Sequence, residues 1–114
     1  MNIKRGEIYF CALDLVIGKA IAKTRPVVIV SNNTNNKFSG TVTILPITSG
    51  NIDKIYPFEV LIEKGNGNLQ KNSKVKADQI RTIDKSRCIS LIGELGENYL
   101  KRIEKAIKIH LTIN

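Results

Sequence analysis

The chain has 114 residues, of which 42% are hydrophobic and 25% are charged, a composition typical of a globular domain and not of a disordered segment. No apolar run approaches the roughly 20 residues that a membrane-spanning helix needs, and the first residues lack the apolar core of a signal peptide. We therefore predict one domain over residues 1–114, with no membrane segment and a cytoplasmic location.

The formal net charge of +8 is concentrated at the two ends of the chain. Residues 1–37 hold six basic and two acidic side chains, residues 38–70 hold two and three, and residues 71–114 hold ten and five. If the ends meet in the fold, they form one basic surface, which is typical of a protein that binds nucleic acid. The alternative is that the charge serves only solubility.

The first part of the chain predicts two strands joined by a long loop. Residues 3–13 alternate loosely between apolar and polar side chains, whereas residues 14–24 show no clean period, which favours a loop. In the next segment Arg25 precedes a proline, which favours extended backbone. The β-branched run that follows predicts a second strand over residues 25–31 that is buried on both faces.

The middle of the chain alternates between short strands and turn signals. The Asn-rich residues 32–40 predict a turn. Residues 41–47 predict a third strand, which Pro46 should either end or place at a sheet edge. Residues 58–64 and 73–78 predict strands four and five, separated by a second turn region rich in Gly and Asn.

The last part predicts a helical turn within residues 83–88, a sixth strand over 88–95 and a helix over 97–112. The apolar residues of this helix recur at spacings of three and four, which predicts one buried face. About six strands and one C-terminal helix predict a mainly β (α+β) fold. We expect a strongly bent antiparallel sheet or small barrel with the helix packed on it.

The sequence is poor in the residues that common catalytic and metal sites use. We expect Cys11 and Cys88 to be small buried side chains, and His110, the only histidine, to be a partly buried helix residue. Glu59 and Glu63 are four residues apart, a pattern typical of a solvated strand face. No Cys/His cluster has metal-ligand spacing. An enzyme with this sequence would therefore lack the usual histidine base, and we expect no metal or other cofactor.

Arginine and hydroxyl side chains near strand ends are the remaining candidates for chemistry. Arg25 starts the second strand, and Thr48 and Ser49 follow the third. Adjacent antiparallel strands can bring Arg25 level with Thr48, where a guanidinium and a hydroxyl could bind a phosphodiester. The alternatives are an arginine at a barrel rim and a threonine that merely ends a strand.

Four segments and a basic terminal helix form a recognisable pattern. In chain order, the segments are "KRGEIYFCALD", "RPVVIVSNN", "TVTILPIT" and "DQIRTIDKSR". With this pattern, the chain resembles the MazF/PemK family of toxin endoribonucleases over almost its whole length. The resemblance implies a small SH3-like barrel that forms a homodimer. It also implies metal-independent cleavage of single-stranded RNA, especially messenger RNA, by 2′-hydroxyl attack, leaving 2′,3′-cyclic phosphate and 5′-hydroxyl ends. A cognate antitoxin with a flexible acidic tail is the implied partner.

The resemblance also implies roles for individual residues. The catalytic arginine of the family falls on Arg25 and its catalytic threonine on Thr48. The candidate substrate-binding residues are Ile17, Gly18, Lys19, Ser49 and Gln79. One segment departs from the family pattern, because Ala20 and Ile21 stand where many relatives have glutamate and glutamine. We expect this loop to hold RNA differently and to read a different sequence, or to lower activity.

Arg25 is a poor candidate for a general base, because arginine keeps its proton in proteins. We expect it to stabilise charge and to donate a proton to the leaving oxygen. Water, a phosphate oxygen or another side chain remains open as the base.

Two other functions share parts of this pattern. Gyrase-poisoning toxins have a related fold but rely on a C-terminal tryptophan, whereas this chain has no Trp and ends in "HLTIN". A non-catalytic small-barrel RNA-binding module would share the basic surface without needing the arginine–threonine pair. Cleavage of RNA by the purified protein in EDTA distinguishes an enzyme from such a module.

Overall fold

A computed structural model describes residues 2–13 and 24–114, which form seven strands and two α-helices. The strands are β1 (Glu7–Ala12), β2 (Thr24–Ile29), β3 (Thr41–Thr48), β4 (Glu59–Ile62), β5 (Ser73–Lys76), β6 (Arg81–Asp84) and β7 (Cys88–Glu94). The helices are α1 (Asn33–Phe38) and α2 (Glu97–Leu111). The predicted loop over residues 14–24, including Ile17, Gly18 and Lys19, lies almost wholly outside the described residues.

All pairings between strands are antiparallel, and the sheet order is β4-β5-β3-β2-β1-β7, with β6 also paired to β3. The mainly β fold with a C-terminal helix is therefore confirmed. In the described part of the chain, the end strands β4 and β7 do not pair with each other, so the bent sheet forms an open barrel.

The placement of the third strand at a sheet edge was wrong, because β3 is the most extensively paired strand. One side of β3 pairs with β2. The other side pairs with β6 over residues 41–44 and with β5 at Ile47 and Thr48. Pro46 lies between these two sets of pairings, where the partner of β3 changes from β6 to β5. A residue without a backbone N–H is tolerated at such a break.

The Asn-rich segment predicted as a turn forms helix α1 instead. The Asn32 side chain caps this helix by accepting a hydrogen bond from the Asn35 backbone N–H at 2.8 Å. Asn36 is buried and donates from Nδ2 to the Ser31 carbonyl oxygen at 2.8 Å. Asn and Asp favour turns and helix N-caps through the same local hydrogen bonds, so composition alone did not distinguish the two.

The sequence prediction also missed the short strand β6. Its four residues lie between two single 3₁₀ turns, Ala77–Gln79 and Lys85–Arg87. The second of these turns confirms the helical turn predicted within residues 83–88. The Asp84 side chain stabilises its start by accepting a hydrogen bond from the Ser86 N–H at 2.8 Å. This contact holds the pKa of the Asp84 carboxyl below its usual range.

The hydrophobic core has two parts, one on each face of the sheet. Val28 packs on the face covered by α2, whereas Val27 and Ile29 pack on the opposite face. The prediction that the second strand is buried on both faces is therefore confirmed. Helix α2 contributes Leu100, Ile103 and Ala106 to the first part. Among the described residues, no helix has the length and apolar character needed to cross a membrane.

Candidate active site

Arg25 and Thr48 come together because of the register between β2 and β3. Val27 lies opposite Pro46, and Val28 lies opposite Leu45. The same register continued by two residues places Arg25 opposite Thr48. Both side chains are half-buried. The strands therefore place a guanidinium and a hydroxyl next to each other at the end of the sheet.

Two cavities meet at this pair. The first, which we call the apolar cavity, has a volume of about 470 Å³. Besides Arg25 and Thr48, its lining includes the apolar side chains Phe10, Pro26, Ile47, Leu69 and Ile92. Pockets of this size with a few convergent polar groups are typical of binding sites.

The second cavity, which we call the cationic cavity, has a volume of about 610 Å³. Besides Arg25 and Thr48, it is lined by Lys74, Lys76, Gln79 and Arg81, among others. Arg25 comes from the basic first segment of the chain, and the other three cations come from the basic last segment. The two positively charged ends of the sequence therefore meet in this cavity.

Arg25 has no acidic partner in the part of the chain that the structure describes. The ion pairs there join Arg5 to Glu104, and both Lys74 and Lys76 to Glu59. No carboxylate or imidazole from residues 2–13 and 24–114 lines either cavity. A guanidinium can bind an anionic ligand through two parallel N–H donors.

Thr48 is oriented by its own loop. Its Oγ1 accepts a hydrogen bond from the Gly50 backbone N–H at 3.1 Å. This contact occupies an acceptor position and leaves the hydroxyl proton to be donated. Among the described residues, no acceptor takes that proton. Thr48 can therefore donate a hydrogen bond into the space next to the Arg25 guanidinium.

The structure brings together four of the residues singled out from the sequence. Arg25 and Thr48 line both cavities, Ser49 lines the apolar cavity and Gln79 lines the cationic cavity. Gln79 reaches this position at the end of the 3₁₀ turn Ala77–Gln79. Ile17, Gly18 and Lys19, along with Ala20 and Ile21 in the departing segment, lie outside the described residues.

The sequence did not predict one wall of the apolar cavity. The loop over residues 65–72 carries Leu69, Gln70 and Lys71 to this wall. Gly67 has φ +62°, a backbone conformation that favours glycine, and an added Cβ would meet Ile8 Cδ1 at 2.5 Å. The Asn68 side chain donates to the Ile92 carbonyl oxygen at 2.9 Å. The Gly/Asn run predicted a turn, but it did not indicate where in the fold this turn packs.

A buried ionic network beside Thr48 was also missed. Glu59, interpreted as part of a solvated face, has a side chain only 1% exposed that pairs with Lys74 at 3.1 Å and Lys76 at 3.0 Å. Burial alone would raise the pKa of the Glu59 carboxyl. Hydrogen bonds from the Tyr56 backbone N–H and from both lysines outweigh burial and lower it. Glu63, by contrast, is exposed as predicted.

Other titratable groups lie away from the pair. Cys11 and Cys88 are buried and not disulfide-linked, as expected, with their sulfur atoms 3.3 Å apart. The hydrogen bond to Cys88 and burial raise the pKa of the Cys11 thiol. His110 lies in α2 but is exposed, contrary to the prediction of partial burial. Among the described residues, no group of three or more His, Cys, Asp or Glu side chains could hold a metal ion.

Comparison with known proteins shows the family to which the chain belongs. Residues 4–111 match the model of the family described as PemK-like, MazF-like toxin of type II toxin–antitoxin system, and the chain belongs to this family. It is 37% identical to endoribonuclease MazF9 of Mycobacterium tuberculosis, covering 97% of this chain and 98% of that protein. It is 38% identical to endoribonuclease MazF of Staphylococcus epidermidis, covering 98% and 93%.

A solved structure of an endoribonuclease in complex with its cognate antitoxin, from a mycobacterial species, is similar to the whole fold. The TM-score is 0.80 at 26% identity, and the match covers 98% of this chain and 97% of that chain. The matched lengths agree closely, so the family match extends over both cavities and helix α2.

Proposed function

We propose that the protein is an endoribonuclease toxin that cleaves single-stranded RNA, including messenger RNA, and is restrained by a cognate antitoxin. The observation that carries this proposal is the placement of Arg25 and Thr48 between two cavities. Family membership and two curated endoribonuclease relatives support it. We also propose a cytoplasmic location, where messenger RNA is translated.

In the proposed reaction, the scissile phosphate binds between Arg25 and Thr48. The ribose 2′-oxygen attacks phosphorus, and the bond from phosphorus to the 5′-oxygen breaks. The products are a 2′,3′-cyclic phosphate and a 5′-hydroxyl. Arg25 stabilises the negative charge that develops on the phosphate, and the Thr48 hydroxyl donates to one of its oxygens.

Different groups carry out the two proton transfers, to the leaving 5′-oxygen and from the 2′-hydroxyl. Arg25 stays protonated between turnovers. The leaving 5′-alkoxide is more basic than a neutral guanidine, so Arg25 can donate a proton to it and recover one from solvent. The 2′-hydroxyl proton passes to water, to a phosphate oxygen or to another side chain, and none of the carboxylates or imidazoles of the described residues lines either cavity. In this proposal, substrate contacts come from Ser49, Gln79, Ile17, Gly18 and Lys19.

Cleavage of a chimeric substrate tests this function. The purified protein should cut a single-stranded RNA in EDTA and leave 2′,3′-cyclic phosphate ends. An otherwise identical strand with 2′-deoxyribose at the cleaved position should resist, because it lacks the attacking oxygen. Cleavage of the chimera would exclude 2′-hydroxyl attack, and loss of activity on chelation would exclude a metal-independent mechanism. RNA binding without cleavage would instead favour the non-catalytic module.

The proposed antitoxin carries an acidic segment that occupies the cationic cavity. A related endoribonuclease has been solved with its cognate antitoxin. An extended acidic segment matches the charges of Lys76, Arg81 and Arg25, and complementary charge speeds association. Non-cleavable RNA should therefore weaken antitoxin binding, and added salt should lower the association rate. Unchanged antitoxin affinity at saturating RNA would place the inhibitor on another surface.

We further propose that the protein forms a homodimer through β7. Strand β7 is an end of the described sheet, and its side chains Ile89 and Leu91 are each 55% exposed. Exposed apolar side chains beside an unpaired strand edge favour contact with a second copy. Sedimentation should give about twice the chain mass of 12.7 kDa. Leu91→Asp should shift the protein towards monomer, whereas a wild-type monomer at micromolar concentration would contradict the proposal.

A further inference from the structure

Lys74 is a buried lysine that lies directly opposite Thr48 in the pairing of β5 with β3. Its side chain is only 5% exposed, and lysines are almost never buried to this extent without partners. Three acceptors surround its ammonium: the Glu59 carboxylate at 3.1 Å, the Asn51 carbonyl oxygen at 3.1 Å and the Lys54 carbonyl oxygen at 3.2 Å. A lysine ammonium has three N–H donors, so all of them are used within the protein.

The acceptors around Lys74 hold one segment, the connection over residues 49–58 between β3 and β4. Lys74 binds this loop directly at two carbonyl oxygens. Glu59 binds it a third time, because its carboxylate accepts from the Tyr56 backbone N–H at 3.0 Å. A single ammonium–carboxylate pair therefore fixes three points of a ten-residue loop, counted from 49 to 58.

The same loop orients the Thr48 hydroxyl. It begins at the residue after Thr48, and its Gly50 N–H donates to Thr48 Oγ1. The next residue, Asn51, has φ +54°, a left-handed conformation that side chains other than glycine adopt at some cost. The Asn51 carbonyl oxygen is one of the acceptors of Lys74, so the lysine binds the loop at this left-handed residue.

Lys76 differs from Lys74 although both pair with Glu59. The Lys76 ammonium is bound to Glu59 Oε2 at 3.0 Å, its side chain is 23% exposed, and among the described residues it has no second acceptor. It lines the cationic cavity with free N–H donors. Lys76 is therefore suited to contact a phosphate, whereas Lys74 has no donor left for one.

We propose that Lys74 is a positioning residue for RNA cleavage. It holds the loop over residues 49–58 and, through Gly50, the Thr48 hydroxyl, without contacting RNA itself. This inference rests on the proposed endoribonuclease function. Loss of the ammonium frees two loop carbonyls to bind water and lets the loop sample more conformations. The cost should fall on the chemical step, because small displacements of catalytic groups slow reactions strongly.

Lys74→Met tests this role, with Lys64→Met as the matched control. Both variants lose one positive charge, but Lys64 is exposed and its side chain has no partner among the described residues. On an RNA oligonucleotide, Lys74→Met should lower kcat about 10- to 100-fold. Its KM and the salt dependence of its KM should match those of Lys64→Met. A raised KM with a weaker salt dependence and unchanged kcat would show that Lys74 binds RNA directly.

Amide hydrogen exchange of the RNA-free protein provides an independent measurement. Residues 49–58 should exchange faster in Lys74→Met than in Lys64→Met, while the loop over residues 65–72 should not change. Unchanged exchange together with unchanged kcat would overturn the proposal. If the wild type does not cleave RNA, the proposed function fails, but the exchange measurement still decides whether Lys74 holds the loop. If circular dichroism shows that Lys74→Met is unfolded, Glu59→Gln is the second variant, for which we expect the same faster exchange of residues 49–58 and a lower kcat; its KM is not compared with that of Lys64→Met, because it also releases Lys76.

Discussion

The apolar and cationic cavities share Arg25 and Thr48 and differ in every other lining residue. The apolar cavity has one aromatic and several aliphatic side chains in its lining, with Lys71 and neutral polar side chains beside them, whereas the cationic cavity is lined mainly by lysine, arginine and amide side chains. An RNA strand has the same division, because its bases are flat and largely apolar on their faces while its phosphates are charged. We therefore expect the apolar cavity to hold a base and the cationic cavity to hold flanking phosphates, with the scissile phosphate between them.

The two cavities should also differ in how they respond to salt. Contacts to phosphates release counterions, so the affinity they contribute falls as salt rises. Stacking on an aromatic ring adds affinity that does not depend on counterions. Variants in the two cavities should therefore be distinguishable by the slope of affinity against salt.

The largest effect is expected where the cavities meet. Arg25→Ala and Thr48→Ala should each lower the single-turnover cleavage rate by roughly 10²-fold or more, because each removes stabilisation of charge in the transition state. Both residues are half-buried, so circular dichroism and the dimer should be unchanged. Arg25→Lys is the matched control, since it keeps the charge and loses the planar fork. A folded Arg25→Ala protein that cleaves at the wild-type rate would refute the assignment.

A smaller effect is expected in the apolar cavity. Phe10 is 43% exposed and lines this cavity beside Pro26, its partner in the β1–β2 pairing. Phe10→Ala should weaken binding of a non-cleavable RNA by about 1–3 kcal/mol, the usual cost of losing one base-stacking contact. The slope of log affinity against log salt should not change. Phe10→Leu serves as a control that keeps apolar volume and loses the aromatic face. A reduced slope would indicate phosphate contacts at this wall.

A still smaller effect is expected from a single exposed cation. Arg81 is exposed at the start of β6 and lines the cationic cavity. Arg81→Gln should reduce the magnitude of the salt slope by about 0.7, the value for one phosphate contact on a single strand. Arg102→Gln is the control, because Arg102 lies exposed on α2 and lines neither cavity. Equal slopes for the two variants would show that Arg81 does not contact a phosphate.

The sequence predicted those parts of the site that depend on local pattern and strand register. Arg25 before a proline and Thr48 at the end of an apolar run were both visible, and antiparallel pairing makes them neighbours. Most of the fold followed from apolar periodicity, including both faces of β2 and the buried side of α2. The prediction that Pro46 marks a strand end or a sheet edge was wrong. A proline indicates only that a backbone N–H is missing, and it does not show where a central strand changes partner strands.

The rest of the site depends on contacts between distant segments. Lys74 and Glu59 are separated by a turn region, and no local pattern shows that two charged residues in short strands will be buried together. Docking of the loop over residues 65–72 likewise depends on Gly93, where an added Cβ would meet the Gly67 carbonyl oxygen at 2.5 Å. Two glycines 26 positions apart therefore form a contact that the sequence does not reveal.

The smallest effect is expected when pH is changed near neutrality, and it concerns the ionic network of Glu59, Lys74 and Lys76 beside the cationic cavity. The pKa of the Glu59 carboxyl is lowered in the folded protein, so its stabilising contribution is complete above its unfolded pKa of about 4.3 and is lost as pH falls through the folded pKa. Lowering the pH from 8 to 5 should therefore leave this network unchanged. Further acidification should protonate Glu59 and leave Lys74 buried without its counter-charge.

Hydrogen exchange measured at several pH values tests this difference between the cavities. Once exchange rates are corrected for the intrinsic effect of pH, residues 49–58 should lose protection as pH falls through the lowered pKa of Glu59, because Glu59 and Lys74 hold them. Residues 65–72 should keep their protection to lower pH, because backbone and amide hydrogen bonds such as Asn68 to the Ile92 carbonyl hold that loop. In Glu59→Gln the acid-dependent loss should disappear from residues 49–58. Simultaneous loss of protection in both loops of the wild type would mean that acid unfolds the whole domain and that the ionic network is not the first element to break.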